Sequence, residues 1–413
     1  MNRFCAVPWN ELYITSNGTY GMCCMEDQDA NDHRISVEQP IEFHWNSDYL
    51  KKTRLDFVNG QNLPQCRHCW QEEEAGKVSG RMRRNQQYYG KANLYTDDPL
   101  LTDTLSKTMA DGSTTKEIEG LFFGVGDLCQ LRCIDCSPSY SRSILKDYQK
   151  LGWRVNDKSR RSIRIQDLSH DPEKHNQYLW QRVREAGNSV RWIRVSGGEP
   201  TLSKELLSFL RWYAEQGHAD HTTIFIATNA VNVKDEFIDA LKPFQGVKLE
   251  LSVDGLGALD EYLRYPTNWS KKVDIMDRLI ETFPGCVVHT TAYSLNVGGL
   301  EKLIPWVETK DVLHSIQCLT YPEELDPRHL PDSYKNEMIS MLEPWASNSE
   351  YKVSNDYRQG DYRGNCINGV IGRLEQARDE KSWDKAKSIV KSYDTIRPMR
   401  LSKILPSLSN YLD

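Results

Sequence analysis

From Gly120 onward, short apolar runs alternate with stretches whose apolar residues recur every three or four positions. The runs predict strands at Leu121–Val125, Val190–Val195, Thr222–Ala227, Val247–Val253, Val287–Tyr293 and Ser315–Thr320, because they are rich in β-branched and aromatic residues and end at turn formers. Between them, Leu206, Leu207, Leu210 and Tyr213 share one helical face, and Ile275, Leu279 and Phe283 share another. Strands apolar on both faces, alternating with amphipathic helices, argue for an α/β fold with a parallel sheet inside a layer of helices. Six such strands fall short of the eight of a closed barrel. A partial (β/α)6 TIM-like barrel is therefore expected over residues 119–325. The interval from Cys136 to Val190 is longer than one crossover needs, and it predicts helices at Arg142–Leu151 and Gln177–Ala186 around a basic loop, Lys158–Arg164. After Pro322 the pattern turns helical, with Trp383, Ala386, Ile389 and Val390 at helical spacing, so residues 326–413 read as C-terminal helices.

Upstream the pattern differs. Glu11–Thr15 and Thr19–Met22 flank Ser16-Asn17-Gly18, and Asn-Gly supplies the positive φ of a tight hairpin turn. Residues 1–93 read as a small cysteine-bearing domain, and the polar, Thr- and Asp-rich residues 94–118 as a linker to the barrel.

Composition narrows the function classes. The chain has 413 residues, 39% hydrophobic and 27% charged, a normal globular balance with room for more than one domain. A net charge of −6 gives no basic field to recruit nucleic acid or an anionic membrane. No run reaches the roughly 18 apolar residues of a membrane span, and the start has no apolar segment of signal-peptide length. A soluble cytoplasmic protein is expected, with neither membrane nor nucleic acid as partner. Its 11 cysteines then need a reason other than disulfides. Cys5, Cys23/Cys24, Cys66/Cys69 and Cys129/Cys133/Cys136 are grouped, as metal-binding thiolates are, whereas Cys286, Cys318 and Cys366 stand alone.

Cys129-Gln-Leu-Arg-Cys133-Ile-Asp-Cys136 directly follows the first predicted barrel strand. Three thiolates on one loop can grip three irons of a cubane and leave the fourth open to a chelating cofactor. This C-x3-C-x2-C run resembles the signature of the radical S-adenosylmethionine (SAM) superfamily. The resemblance implies a [4Fe–4S] cluster on Cys129, Cys133 and Cys136 whose open iron binds SAM, and a 5′-deoxyadenosyl radical that abstracts hydrogen from substrate. Three further runs resemble the same family. Gly197-Gly198-Glu199 closes the second strand and is implied at the methionyl amino group of SAM; the plain alternative is a strand-end turn with a solvated carboxylate. Thr228-Asn229-Ala230 is similar to the family's Thr-Asn-Gly, with Ala230 in place of glycine. Ser252-Val-Asp254-Gly255, with Arg264 beyond it, is similar to a Ser-x-Asp-Gly…Arg run, which implies Ser252 near the ribose and Arg264 near the carboxylate of SAM. All of these lie at C-terminal strand ends, where barrel active sites are built. Asp135 departs from the family, which places an aromatic residue before the third cysteine.

Cys5-x12-Gly18-x4-Cys23 is similar to the opening of the auxiliary-cluster modules called SPASM and twitch, here placed before the barrel instead of after it. With Cys66-Arg-His-Cys69 it implies a second [4Fe–4S] cluster on Cys5, Cys23, Cys66 and Cys69, leaving Cys24 spare. A hairpin plus C-x2-C equally describes a structural zinc site, and that alternative stands. The reaction implied is oxidation or modification of a peptide, a protein or a small molecule. Residues 80–91, basic and aromatic, favour a peptide or protein substrate. An external electron donor is also implied. His289, Tyr293, Gln317 and Tyr321 are candidates to line a pocket inside the barrel. The rival reading is a non-catalytic iron–sulfur or zinc protein that keeps the barrel for redox or interaction.

Overall fold

The computed structural model describes residues 3–27, 35–74, 78–138, 140–153, 172–186, 190–347 and 365–412; the basic loop expected at 158–164 lies outside them. Among the described residues nine strands form one sheet: β1 (Glu11–Ile14), β2 (Thr19–Gly21), β3 (Ile35–Ser36), β4 (Gly120–Gly124), β5 (Trp192–Ser196), β6 (Thr223–Thr228), β7 (Gly246–Ser252), β8 (Val287–Ala292) and β9 (Leu313–Cys318), in the order β3-β2-β1-β4-β5-β6-β7-β8-β9. From β4 to β9 each strand pairs in parallel with the next. The sheet has two ends and does not close, which is the open α/β barrel that six strand–helix units predict.

The N-terminal hairpin is continuous with that sheet. β1 and β2 pair antiparallel around Asn17-Gly18, where Gly18 has φ +74°. β1 then pairs in parallel with β4, setting Glu11 opposite Gly120 and Tyr13 opposite Phe122. Residues 94–118, expected as a linker, are packed. Leu94 and Leu101 are fully buried, Trp9 Nε1 donates to Thr108 Oγ1 at 2.8 Å and Trp45 Nε1 to the Lys116 carbonyl at 3.1 Å. The buried Arg54 guanidinium donates to the carbonyls of Pro8, Trp45 and Gly112. A polar stretch here supplies acceptors to buried donors, which unpaired would cost several kcal/mol (roughly, for a buried cation). The buried apolar residues form one cluster that runs from Phe4 to Leu412.

The helices follow their apolar periodicity. Lys204–Glu215 buries Leu206, Phe209, Leu210 and Tyr213, and Ser203 caps it by accepting from Leu206 N. Trp269–Thr282 is capped by Asn268 and buries Met276 and Leu279. In the C-terminal region Glu380–Ile396 buries Trp383, Ala386, Ile389 and Val390. Asn365–Leu374 packs on β9, so the last strand of the sheet is not left bare. Cys318 Sγ donates to the Gly369 carbonyl of that helix at 3.7 Å. Cys286 and Cys366 are buried in the apolar core. No helix among the described residues is long and apolar enough to cross a membrane.

Candidate functional site

The loop that leaves β4 carries Cys129, Cys133 and Cys136, and its backbone is fastened by neighbours from far along the chain. Val125 N donates to Ser196 O at 2.9 Å, Arg132 N to Tyr265 O at 2.6 Å and Ile134 N to Leu263 O at 3.0 Å. Ser141 Oγ donates to Leu131 O and Ser143 Oγ to Cys129 O, at 2.6 and 2.7 Å. Cys133 is buried, while Cys129 and Cys136 are half-buried. Burial pushes the Cys133 thiol up strongly; Arg264 opposes this, and the neighbouring Asp135, Cys136 and Cys129 add to it. Burial also pushes Cys129 up. The three thiols thus sit within electrostatic reach of one another on a fixed arch. Such thiols give up their protons to a metal far more readily than to water.

Gly197 and Gly198 set the end of β5 directly against that arch. Gly198 N donates to Gly126 O and Glu199 N to Leu128 O, both at 2.8 Å. Gly197 has φ +117°, and a Cβ on Gly198 would lie 2.4 Å from the Leu128 carbonyl oxygen. Two backbones meet here, so nothing can swing aside. Gly198→Ala is therefore expected to displace the loop and, where its cysteines serve as the expected iron ligands, to reduce the iron bound there at least severalfold. Iron per chain, measured after reconstitution beside the melting temperature, checks this; full iron content would refute it.

Glu199 is 1% exposed, so the solvated-turn alternative does not hold. Its carboxylate accepts from Thr201 N at 3.2 Å and from Thr201 Oγ1, Thr228 Oγ1 and Asn229 N, each at 2.7 Å. These bonds tie the end of β5 to the end of β6. Burial pushes its carboxyl up, against those bonds. Asn229 in turn donates from Nδ2 towards Cys129 Sγ at 3.8 Å and bonds to the Gln130 side chain. Ala230 has φ +54°, so it occupies the left-handed conformation in which glycine is at ease.

On the β7 side, Ser252 ends the strand half-buried, opposite His289 in register. Arg264 Nη1 donates to Asp254 Oδ2 at 2.6 Å, and Asp254 Oδ1 accepts from Thr291 N at 3.0 Å. Burial works against the Arg264 charge, but Cys133 when ionised and the neighbouring Asp254, Asp135 and Asp260 outweigh it and push the guanidinium up. Its buried Nε–H has no partner among the described residues. Asp260 and Lys272, both fully buried, form an ion pair at 2.7 Å behind this run. The cysteine loop and the ends of β5, β6 and β7 therefore converge, as their common place at C-terminal strand ends requires. Gln130, Arg132, Asp147 and Arg397 belong to the same assembly without any motif to mark them.

The other grouped thiols line a separate cavity of about 260 Å³. Cys5 precedes the short helix Val7–Asn10, Cys23 follows β2, Cys66 ends the turn Pro64–Cys66, and Cys69 lies in the first turn of Arg67–Glu74. All four, with Cys24, face this void. Burial pushes Cys5 up to about 12, opposed by a bond from the Val7 backbone and reinforced by Cys69. It pushes Cys23, Cys66 and Cys69 up as well, and neighbouring thiols add to the shifts of Cys23 and Cys66. Among the described residues no three His, Cys, Asp or Glu side chains are gathered around a single point that would hold one ion. The thiols instead surround a space.

The far wall of the same cavity is the inner face of the sheet: Phe122, Arg194, Glu250, His289, Ser315 and Gln317. Arg194 pairs with Glu250 at 2.9 Å and lies over the Phe225 ring. Burial holds His289 below the usual imidazole range, so it is neutral at pH 7. His289 and Gln317, expected as pocket residues, are there. Tyr321 is not: β9 stops at Cys318, and Tyr321 is 63% exposed beyond it. Tyr293 is buried outside this cavity, its hydroxyl without a hydrogen-bond partner among the described residues.

Residues 5–70 match the family model named SPASM, an iron–sulfur cluster-binding domain. Among solved structures, the chain is similar to Streptococcus suis SuiB bound to S-adenosylmethionine, with 12% identity, 85% of this chain and 71% of that one covered, and a TM-score of 0.38. SuiB bound to precursor peptide SuiA gives 13% identity, 85% and 72% coverage and 0.39. The radical S-adenosylmethionine methyltransferase TsrM of Kitasatospora setae, with cobalamin and a [4Fe–4S] cluster bound, gives 10% identity, 68% and 52% coverage and 0.33. At such scores these likenesses settle neither fold nor activity. Comparison with curated proteins finds no match.

Proposed function

We propose that this chain is a radical SAM enzyme, with one [4Fe–4S] cluster on Cys129, Cys133 and Cys136 and an auxiliary cluster on Cys5, Cys23, Cys66 and Cys69. One observation carries the reading: the three-cysteine arch is built against the ends of β5, β6 and β7 through Gly198, Glu199, Asn229 and the Arg264 region. The donor sets fit the groups. Three thiols share the arch beside a buried guanidinium whose Nε–H is unfilled. Four thiols line one cavity, and the match of residues 5–70 to an iron–sulfur cluster-binding domain supports a cluster there over zinc.

With its cofactors bound, the first site supplies one-electron cleavage of SAM and hydrogen abstraction by the carbon radical released. The chain's own residues bind and orient. Arg264, held by Asp254, offers its Nε–H to the carboxylate of SAM. Three of the bonds Glu199 accepts fall on Oε1 and one, from Asn229 N, on Oε2, so Oε2 keeps acceptor capacity for the ammonium group of SAM. Glu199 also fixes the strand ends, and Gly197 and Gly198 let a ligand approach the backbone. Ser252 stands on the ribose side. With the auxiliary cluster on the cysteine side of the cavity, the sheet side beyond it would receive the substrate, and the basic, aromatic helix Gly80–Tyr89 supports a peptide or protein as that substrate. An external donor supplies the electron.

The test is release of 5′-deoxyadenosine after anaerobic reconstitution, with SAM and a strong reductant, in wild type and Cys133→Ala. Release is expected in wild type and is expected to fall at least a hundredfold, to background, in the variant. No release from a protein that carries its full iron, with and without candidate peptides, would favour the non-catalytic redox reading.

A further inference from the structure

Two N–H groups point at the sulfur of Cys129. Leu131 N donates to Sγ at 3.4 Å, and Asn229 Nδ2 donates to it at 3.8 Å. The first is local to the arch, whereas the second comes from the end of β6, a hundred residues along the chain. The orientation of the Asn229 amide is fixed by its other partners. Val231 N donates to Oδ1 at 3.0 Å. A backbone N–H can only donate, so the oxygen faces Val231 and Nδ2 faces the arch. Gln130 holds the same amide from the arch side: its Nε2 donates to Oδ1 at 3.2 Å, and its Oε1 accepts from Nδ2 at 3.4 Å. Asn229 N is held by Glu199 Oε2 at 2.7 Å, and the residue is 5% exposed. The amide is therefore locked, shielded from water and aimed at a sulfur.

We propose that Asn229 raises the reduction potential of the iron–sulfur cluster at the arch by donating an N–H···S hydrogen bond to its ligand Cys129. The inference rests on the reading of Cys129, Cys133 and Cys136 as the ligands of that cluster. When one electron passes from the external one-electron donor to this site, the donor is oxidised, the site is reduced, and no bond forms or breaks. The added negative charge falls partly on the ligand sulfurs, and an N–H aimed at one of them stabilises it. Burial strengthens the effect, because a hydrogen bond is electrostatically stronger in a low-dielectric site. The potential rises, and reduction, the step that must precede cleavage of SAM, becomes easier. Asn229 acts through Cys129, as a positioning residue.

Redox titration of the reconstituted protein without SAM, followed by electron paramagnetic resonance, tests this. The arch signal is the one absent from Cys133→Ala. At a fixed potential, Asn229→Ala is expected to lower the ratio of reduced to oxidised cluster about tenfold, a shift of about 59 mV to lower potential for a one-electron couple. Asn229→Asp keeps the acceptor for Val231 N but turns an anion towards the sulfur, so it is expected to lower the potential further. Ser143→Ala removes the 2.7 Å bond to the Cys129 carbonyl and leaves both N–H donors in place. It is expected to loosen the arch without moving the potential. In wild type, isotopically labelled asparagine is expected to give the arch signal a nitrogen coupling in pulsed spectra. That coupling decides even where a variant loses its iron. An unchanged potential in Asn229→Ala, an equal drop in Ser143→Ala, or no coupling to labelled asparagine overturns the proposal and leaves the cluster reading standing. No signal lost in Cys133→Ala removes the cluster reading and the proposal with it.

Discussion

Lys272→Met is expected to lower folding stability by about 3–5 kcal/mol, because it leaves the Asp260 carboxylate buried without its partner. Both side chains are fully buried, and their ion pair is 2.7 Å long. Asp260 also accepts from Asp254 N through Oδ1 at 3.1 Å, so the stranded charge lies directly behind the run that carries Asp254 and Arg264. Met keeps most of the volume of Lys, which separates the electrostatic loss from a cavity. Adding Asp260→Asn removes the charge while Oδ1 still accepts from Asp254 N. The double variant is expected to recover most of the loss. Chemical denaturation of the three proteins measures it. A loss below about 1 kcal/mol in Lys272→Met, the range of exposed pairs, would mean that solvent reaches the pair.

No local pattern marks Lys272 as a buried charge. It lies on the buried face of Trp269–Thr282 with Met276 and Leu279, and only the fold shows that Asp260 occupies the facing position. What was legible is what local physics encodes. The six barrel strands announce themselves through apolar runs, and the structure places each within a few residues of its predicted bounds. The grouped cysteines and the strand-end motifs are short-range signals too, and a parallel sheet necessarily gathers strand ends of the same sense. Even the departure at Ala230 has a physical meaning, since its φ of +54° is the conformation for which glycine is the usual residue.

The rest depended on contacts that leave no local trace. β1 joins β4 in parallel across more than a hundred residues, so a hairpin that looks self-contained becomes part of the large sheet. Residues 94–118 read as a linker because they are polar, yet their carbonyls and hydroxyls are what Arg54, Trp9 and Trp45 require. Glu199 could be read as solvated because the bonds that bury it come from Thr228 and Asn229, thirty residues away. Tyr321 was placed by continuing strand alternation past the last residue of β9, where the alternation no longer holds.

Arg397→Met is expected to loosen the cysteine arch selectively. Arg397 is 6% exposed. Its Nη2 donates to the Arg132 carbonyl, between Cys129 and Cys133, at 2.6 Å, and its Nη1 donates to the Tyr262 carbonyl. Its guanidinium lies over the rings of Tyr393, Tyr265 and Tyr262 and 3.7 Å from Asp147, which also pairs with Arg132. Met fills the space but offers no donor. Two carbonyls lose their bonds and Asp147 keeps a single cation, at a cost of about 3 kcal/mol or more. The C-terminal region thereby gains a role: it fastens the arch from behind. On the proposed ligand sets, iron at Cys129, Cys133 and Cys136 is expected to fall severalfold, while iron at Cys5, Cys23, Cys66 and Cys69 stays. Mössbauer or electron paramagnetic resonance spectra of the two sites separate these populations, and Arg397→Lys is expected to recover part of the first. The pH dependence has a definite sign. Burial already pushes the Asp147 carboxyl up, opposed by Arg132 and Arg397, so losing Arg397 raises it further. A carboxyl raised in the folded state takes up a proton on folding, and its unfavourable burial is relieved once it is protonated. The deficit of Arg397→Met is therefore expected to shrink as pH falls through the carboxylate range and to reach its full size above it. Equal loss of iron from both sites, or a deficit that grows in acid, would show that Arg397 supports the fold at large and not the arch.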